Sequence, residues 1–150
     1  MIIKIIKAEL SDMENIWRLQ LEAYQSEAIL YNDFTIQPLT QTLEQAILEF
    51  NENIILKAVL DDKIIGSVRA YENQGSVYIG KLMVLSAYQN NGIGKRLLEA
   101  IEDEFPGKRY ELFTGAKSVK NLMLYEKFGY VRFKETKAAE GVSFVYLEKL

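Results

Sequence analysis

Residues 78–98 constrain this chain more than any other stretch. Tyr78-Ile79-Gly80-Lys81-Leu82-Met83-Val84 reads as a buried strand, and Leu85 to Gly94 turns from it into a helix. Leu97, Leu98, Ile101 and Phe105 give that helix an apolar stripe. Gly92 and Gly94 at its entry allow a sharp turn and keep side chains out of a ligand's way. The first helical N–H groups are then free to bind an anion, helped by the helix dipole. Lys95 and Arg96 add positive charge beside them. The unit reads as a phosphate-binding turn at a strand-to-helix junction.

Two familiar phosphate motifs do not fit. A P-loop needs glycine where this chain has Gln89 and serine or threonine where it has Arg96. A dinucleotide fingerprint needs a third glycine, and Gly92-x-Gly94 is followed by Leu97. A second block lies downstream. Glu111-Leu112-Phe113-Thr114-Gly115 reads as a strand, and Ser118 to Phe128 as a helix closed by Gly129 in a left-handed cap.

Together, Gln89-x-x-Gly92-x-Gly94 after Leu82-x-Val84, and Leu124-Tyr125-Glu126-Lys127-Phe128-Gly129-Tyr130, resemble the signatures of the GCN5-related N-acetyltransferase (GNAT) family. The resemblance implies an α/β acyl-CoA N-acyltransferase fold, with a mixed, mostly antiparallel sheet flanked by helices. It implies acetyl-CoA as co-substrate, with no metal, and direct transfer of the acetyl group to a primary amine in a ternary complex. Leu82, Met83 and Val84 would bond the pantetheine arm through their backbones, in a gap between the fourth and fifth strands. Gln89, Asn90, Asn91, Gly92, Ile93, Gly94 and Lys95 would form the pyrophosphate turn. Asn91, Ile93 and Lys95 matter there by backbone, so their side chains should tolerate exchange better than the glycines.

The family tyrosine that protonates the departing sulfur matches Tyr125. Many members place an asparagine seven residues earlier, where this chain has Ser118. Asn121 sits one turn on, on the same helix face, and is the preferred cofactor contact. No family base survives, because the two positions that carry a glutamate in relatives hold Tyr78 and Phe113. An amine of pKa near 10.4 must still lose a proton, a deficit at pH 7 of about 4–5 kcal/mol. Glu27 and Glu72 are candidates through a water relay, and the base stays unassigned. The acceptor site is expected from Glu27, Tyr31 and the surrounding aromatics, with Glu72 opposite. Carboxylates and rings favour a small cationic amine over a protein N-terminus or lysine. A non-catalytic acetyl-CoA sensor is the competing reading, kept open by the missing base.

Composition narrows the chemistry further. The chain has no cysteine and no histidine, which removes thiolate nucleophiles, serine–histidine hydrolysis and the commonest metal ligands. A formal charge of −3 without a basic block argues against nucleic acid as partner. No apolar run approaches the roughly 18 residues of a membrane span. Without a signal-peptide core the chain reads as cytoplasmic. Its 150 residues make one domain, 1–150, and leave the oligomeric state open, a homodimer included.

The remaining elements follow from local signals. Residues 1–7 read as a first strand. Ser11-Asp12-Met13-Glu14 reads as a capping box with Ser11 as N-cap, opening a helix with Met13, Ile16, Trp17 and Gln20 on one side. Ser26 to Thr40 reads as loose. Thr42 to Gln45 is a second capping box, before a helix striped by Leu43, Ala46, Ile47 and Phe50. Asn53 to Leu60 and Lys63 to Glu72 read as strands, and Val131 to Lys137 with Val142 to Lys149 as a terminal hairpin.

Overall fold

The computed structural model describes residues 2–150. Its strands are β1 (Lys4–Lys7), β2 (Ile54–Leu60), β3 (Lys63–Asn73), β4 (Ser76–Val84), β5 (Arg109–Gly115), β6 (Val131–Ala139) and β7 (Val142–Lys149). Its helices are α1 (Met13–Ala23), α2 (Gln25–Tyr31), α3 (Gln37–Thr40), α4 (Leu43–Glu52), α5 (Ile93–Asp103) and α6 (Val119–Lys127). The strands form one seven-stranded sheet in the order β1-β2-β3-β4-β5-β7-β6. Every neighbouring pair is antiparallel except β4–β5. The mixed, mostly antiparallel α/β architecture expected from the sequence is therefore present.

Helices cover both faces. Gly66 of β3 lies against Leu97 of α5, while Arg69, three residues on and so on the opposite face, reaches Glu49 of α4. Ile93, Leu97, Leu98 and Ile101 bury the α5 stripe against the sheet, and Met13, Ile16 and Leu19 do the same for α1. The Thr42 box is made as expected, with Gln45 N–H donating to Thr42 Oγ1 at 3.2 Å and Thr42 N–H to Gln45 Oε1 at 3.0 Å.

Two local expectations are corrected. Ser11 does not cap α1. Glu9 N–H donates to the Asp12 carboxylate at 2.8 Å, a 3-10 turn occupies Leu10–Asp12, and Asp12 is the residue preceding the helix. The segment 26–40 is not loose either. It contains α2, ended by Asn32 in the left-handed conformation (φ 50°), and the single turn α3, with Pro38 at its start.

One irregularity matters for function. Arg69 pairs with Gly80 and Ser67 with Met83, so β4 carries one residue more than β3 over that stretch. The extra residue is a β-bulge, with Lys81 at φ 44°. A bulge bends its strand, and this one follows the point where β4 stops pairing with β5, after Tyr78↔Glu111. Beyond it the two parallel strands part.

Candidate active site

The gap between β4 and β5 has an open backbone edge. Leu85 N–H donates to Ile65 O of β3 at 2.9 Å, and Met83 is paired with Ser67. Strand alternation then turns the backbone groups of Leu82 and Val84 toward the gap. Of the three residues expected along a pantetheine arm, Met83 is spent on β3 and its side chain is core. Leu82 and Val84 keep the open edge, although Gln89 Nε2 already donates to Val84 O at 3.2 Å.

The turn follows directly. Asn90 and Gly92 have φ 66° and 75°, and Asn91 Nδ2 donates to the carbonyls of Tyr88 and Gln89 at 3.1 and 3.2 Å. These bonds fold the loop so that α5 starts at Ile93. Gln89 N–H donates to Ser86 O at 3.3 Å, and among the described residues the next N–H along the turn to find a backbone acceptor is that of Arg96, on Gly92 O at 3.1 Å. A Cβ on Gly92 would meet nothing within 4 Å, so the space beside those N–H groups is open. The two glycines differ. Gly92 supplies a positive φ, whereas Gly94 lets α6 approach, since a Cβ there would sit 3.2 Å from Leu124 Cδ2. Ile93 is 2% exposed, so its side chain is core rather than freely exchangeable. Asn91 likewise acts through its side chain. Lys95 is exposed, 3.9 Å from Glu99.

On the face of the sheet that carries Arg69, a cavity of about 1210 Å³ opens over the parting strands. It brings together Glu27, Tyr31, Asn121 and Tyr125, with Leu82 at its edge. Tyr125 is buried, with no hydrogen bond to its hydroxyl among the described residues. Burial pushes its pKa well above the ordinary phenol value, reinforced by Tyr24 and the Glu27 carboxylate. Burial likewise raises Tyr24 to about 12, with Arg69 opposing. Ser118 Oγ donates to both Glu27 oxygens at 2.7 and 2.8 Å, and Asn121 Nδ2 reaches Glu27 at 3.5 Å and Thr114 at 3.3 Å. Tyr31 accepts Lys117 N–H at 3.0 Å. Helix α2 is thereby fastened to the start of α6. Glu72 lies apart at the cavity rim, paired with Lys108 at 3.3 Å.

The model of the acetyltransferase (GNAT) domain matches residues 20–150 of the chain. The chain belongs to the GNAT acetyltransferase family. Among solved structures, the PaiA N-acetyltransferase from Thermoplasma acidophilum in complex with coenzyme A superposes with a TM-score of 0.83 at 19% identity, over 99% of each chain. The ribosomal-protein-S18-alanine N-acetyltransferase from Escherichia coli gives 0.79 at 14%, over 99% of this chain and 93% of its own. YncA from Salmonella typhimurium with its cofactor acetyl-CoA gives 0.77 at 13%, again over 99% and 93%. At these identities the likeness is one of fold. No curated protein matches the chain.

This GNAT chain adds a polar cluster that its sequence did not announce. Glu49 of α4 accepts from Arg69 Nη1, from Gln41 Nε2 at 2.7 Å and from Lys81 Nζ at 3.0 Å. Gln41 Oε1 in turn accepts from Lys81 at 2.9 Å and Gln20 at 2.8 Å. The bulge at Lys81 is what aims its ammonium into the cluster. Burial raises the Glu49 pKa, but Arg69, Lys81 and Gln41 outweigh it and the net shift is downward. Burial and the nearby Arg69 lower Lys81, against the pull of Glu49. The sequence signals were two charges in strand interiors, Arg69 between Val68 and Ala70 and Lys81 between Gly80 and Leu82.

Proposed function

We propose that this acetyltransferase moves the acetyl group of acetyl-CoA onto a primary amine held in the cavity, by direct attack. The observation that carries the reading is the parting of β4 from β5. It exposes backbone at Leu82 and Val84 between an anion-ready turn and the Tyr125 hydroxyl. Acetyl-CoA supplies an acetyl group activated as a thioester. The N–H groups of residues 90–95 would hold its pyrophosphate, and Leu82 and Val84 its pantetheine arm. Asn121, which lines the cavity, would stand beside that arm, with buried Ser118 holding Glu27 behind it.

The chemistry then falls to three groups. Leu82 N–H, the gap-facing donor next to the bulge, polarises the thioester oxygen. Glu27 takes a proton from the acceptor ammonium, directly or through a water, and passes it to solvent. As the C–N bond forms and the C–S bond breaks, Tyr125 gives its proton to the sulfur and is restored by the second amine proton. One proton is released per turnover. The raised pKa of Tyr125 keeps it protonated across the working range, and the burial that raises it also disfavours a bare thiolate.

Tyr125→Phe tests this. The hydroxyl has no bonding partner to lose, so the variant should fold normally. Its kcat should fall about 10²–10⁴-fold, the usual worth of a positioned acid, with acetyl-CoA affinity by calorimetry unchanged. Unchanged kcat would remove Tyr125 from that role. Acetyl-CoA binding without amine-dependent turnover in the wild type would favour a sensor.

A further inference from the structure

The acceptor cavity has a floor at Gly80, where a Cβ would meet nothing within 4 Å. Strand β4 thus leaves a hollow between Tyr78 and Lys81, and its two walls differ in chemistry. One is aromatic. Tyr71 and Tyr78 stack with ring centroids 5.4 Å apart, and Phe113 is 51% exposed. Among the described residues no lysine or arginine covers these three rings, whereas Tyr146 already carries Lys134 at 4.3 Å.

The other wall is cationic. Arg69 and Lys81 share the single carboxylate of Glu49, and Arg69, 4% exposed, keeps Nε and Nη2 without any acceptor. A buried cation left short of partners favours an anion nearby. None of the other carboxylates lining the cavity bonds Arg69 or Lys81. Glu72 is paired with Lys108 and Glu111 with Arg109, Glu27 is engaged by Ser118 and Asp33 by Thr35, and Glu52 makes no ion pair among the described residues. Lys81, its side chain 14% exposed, is the cation that an incoming anion meets first. Gly80 is paired directly across from Arg69 and lies two residues, about 7 Å, from Tyr78. That span suits a molecule the size of phenylalanine.

We propose that the acceptor is an α-amino acid with an aromatic side chain. Its amine faces Tyr125 and the Leu82 edge, its carboxylate lies over Lys81 and Arg69, and its ring packs on Tyr71 and Tyr78. This replaces the small cationic amine expected from the sequence and rests on the acetyl-transfer reading above. The reaction is the one balanced there, with an N-acetyl amino acid, coenzyme A and a proton as products.

The test measures coenzyme A release with four acceptors: L-phenylalanine, L-phenylalanine amide, phenethylamine and 1,4-diaminobutane. One charge-assisted contact is worth about tenfold or more. L-phenylalanine should therefore exceed the amide and phenethylamine by at least about tenfold in kcat/KM. Lys81→Gln should shrink that ratio toward one. Gly80→Val, which fills the hollow, should cut phenylalanine turnover and leave acetyl-CoA affinity intact. Faster turnover of the diamine or phenethylamine, or an unchanged ratio in Lys81→Gln, would overturn the carboxylate assignment and leave acetyl transfer standing. Bound acetyl-CoA with no release from any of the four would overturn both.

Discussion

Gly115→Ala probes how α2 is held over the site, and its sign depends on one neighbour. Gly115 ends β5 without a positive φ, so alanine suits the backbone. The added methyl does not suit Tyr31. It overlaps the Tyr31 hydroxyl and comes within 2.8 Å of Cζ and 2.9 Å of Cε2. Tyr31 must swing away. That loses the bond from Lys117 N–H, about 1 kcal/mol, and the Lys117 cation over the ring, about 0.5–1 kcal/mol at an exposed site. Against this, replacing glycine restricts the unfolded chain, which stabilises by about 0.4–1 kcal/mol. The net expectation is a loss of about 0.5–1.5 kcal/mol, or roughly 1–6 °C in Tm for a chain of this size. In a Tyr31→Ala background the overlap is gone and only the unfolded-chain effect remains, so the same substitution should stabilise. Urea denaturation of the wild type, both single variants and the double variant measures both effects. An equal effect of Gly115→Ala in the two backgrounds would refute the reasoning.

Two further substitutions separate backbone from space. Gly92→Ala should cost about 1–2 kcal/mol through its positive φ alone, and should weaken acetyl-CoA binding by calorimetry. Gly80→Ala, equally open but with ordinary φ, should show no loss of stability; similar Tm values for the two would contradict this assignment. The Glu49 carboxyl is held below its ordinary pKa, so the stability it contributes is present above the unfolded value of about 4.3 and lost as pH falls through the folded one. Glu49→Gln should therefore flatten the acid limb of a Tm-against-pH profile below about pH 4.5. A limb as steep as in the wild type would show that Glu49 is not the titrating group.

What could be read from the sequence was local, and what could not was a product of pairing. The strand–turn–helix at 78–98 carries its signal in consecutive residues, glycines then an apolar stripe, and the structure builds it as read. The Thr42 box is equally local. The Ser11 box failed because two overlapping caps compete there, and the Glu9–Asp12 bond starts the turn earlier. The bulge at Lys81 exists only because β3 and β4 differ by one residue in register, which neither strand reveals alone. The cluster of Gln20, Gln41, Glu49, Arg69 and Lys81 likewise joins α1, α4 and two strands with the residue before α4's cap. The sequence reads Gly94 as part of the pyrophosphate turn, and its packing against Leu124 on another helix is a further constraint that no local signal carries.

Amine-dependent release of coenzyme A from acetyl-CoA tests the central claim most directly. The chain has no cysteine, so a thiol reagent reads only the liberated coenzyme A. The account predicts release that requires an amine, saturates with it, and falls by at least about 100-fold in Tyr125→Phe. Saturable acetyl-CoA binding with no amine-dependent release, across amino acids, peptides and polyamines, would contradict it.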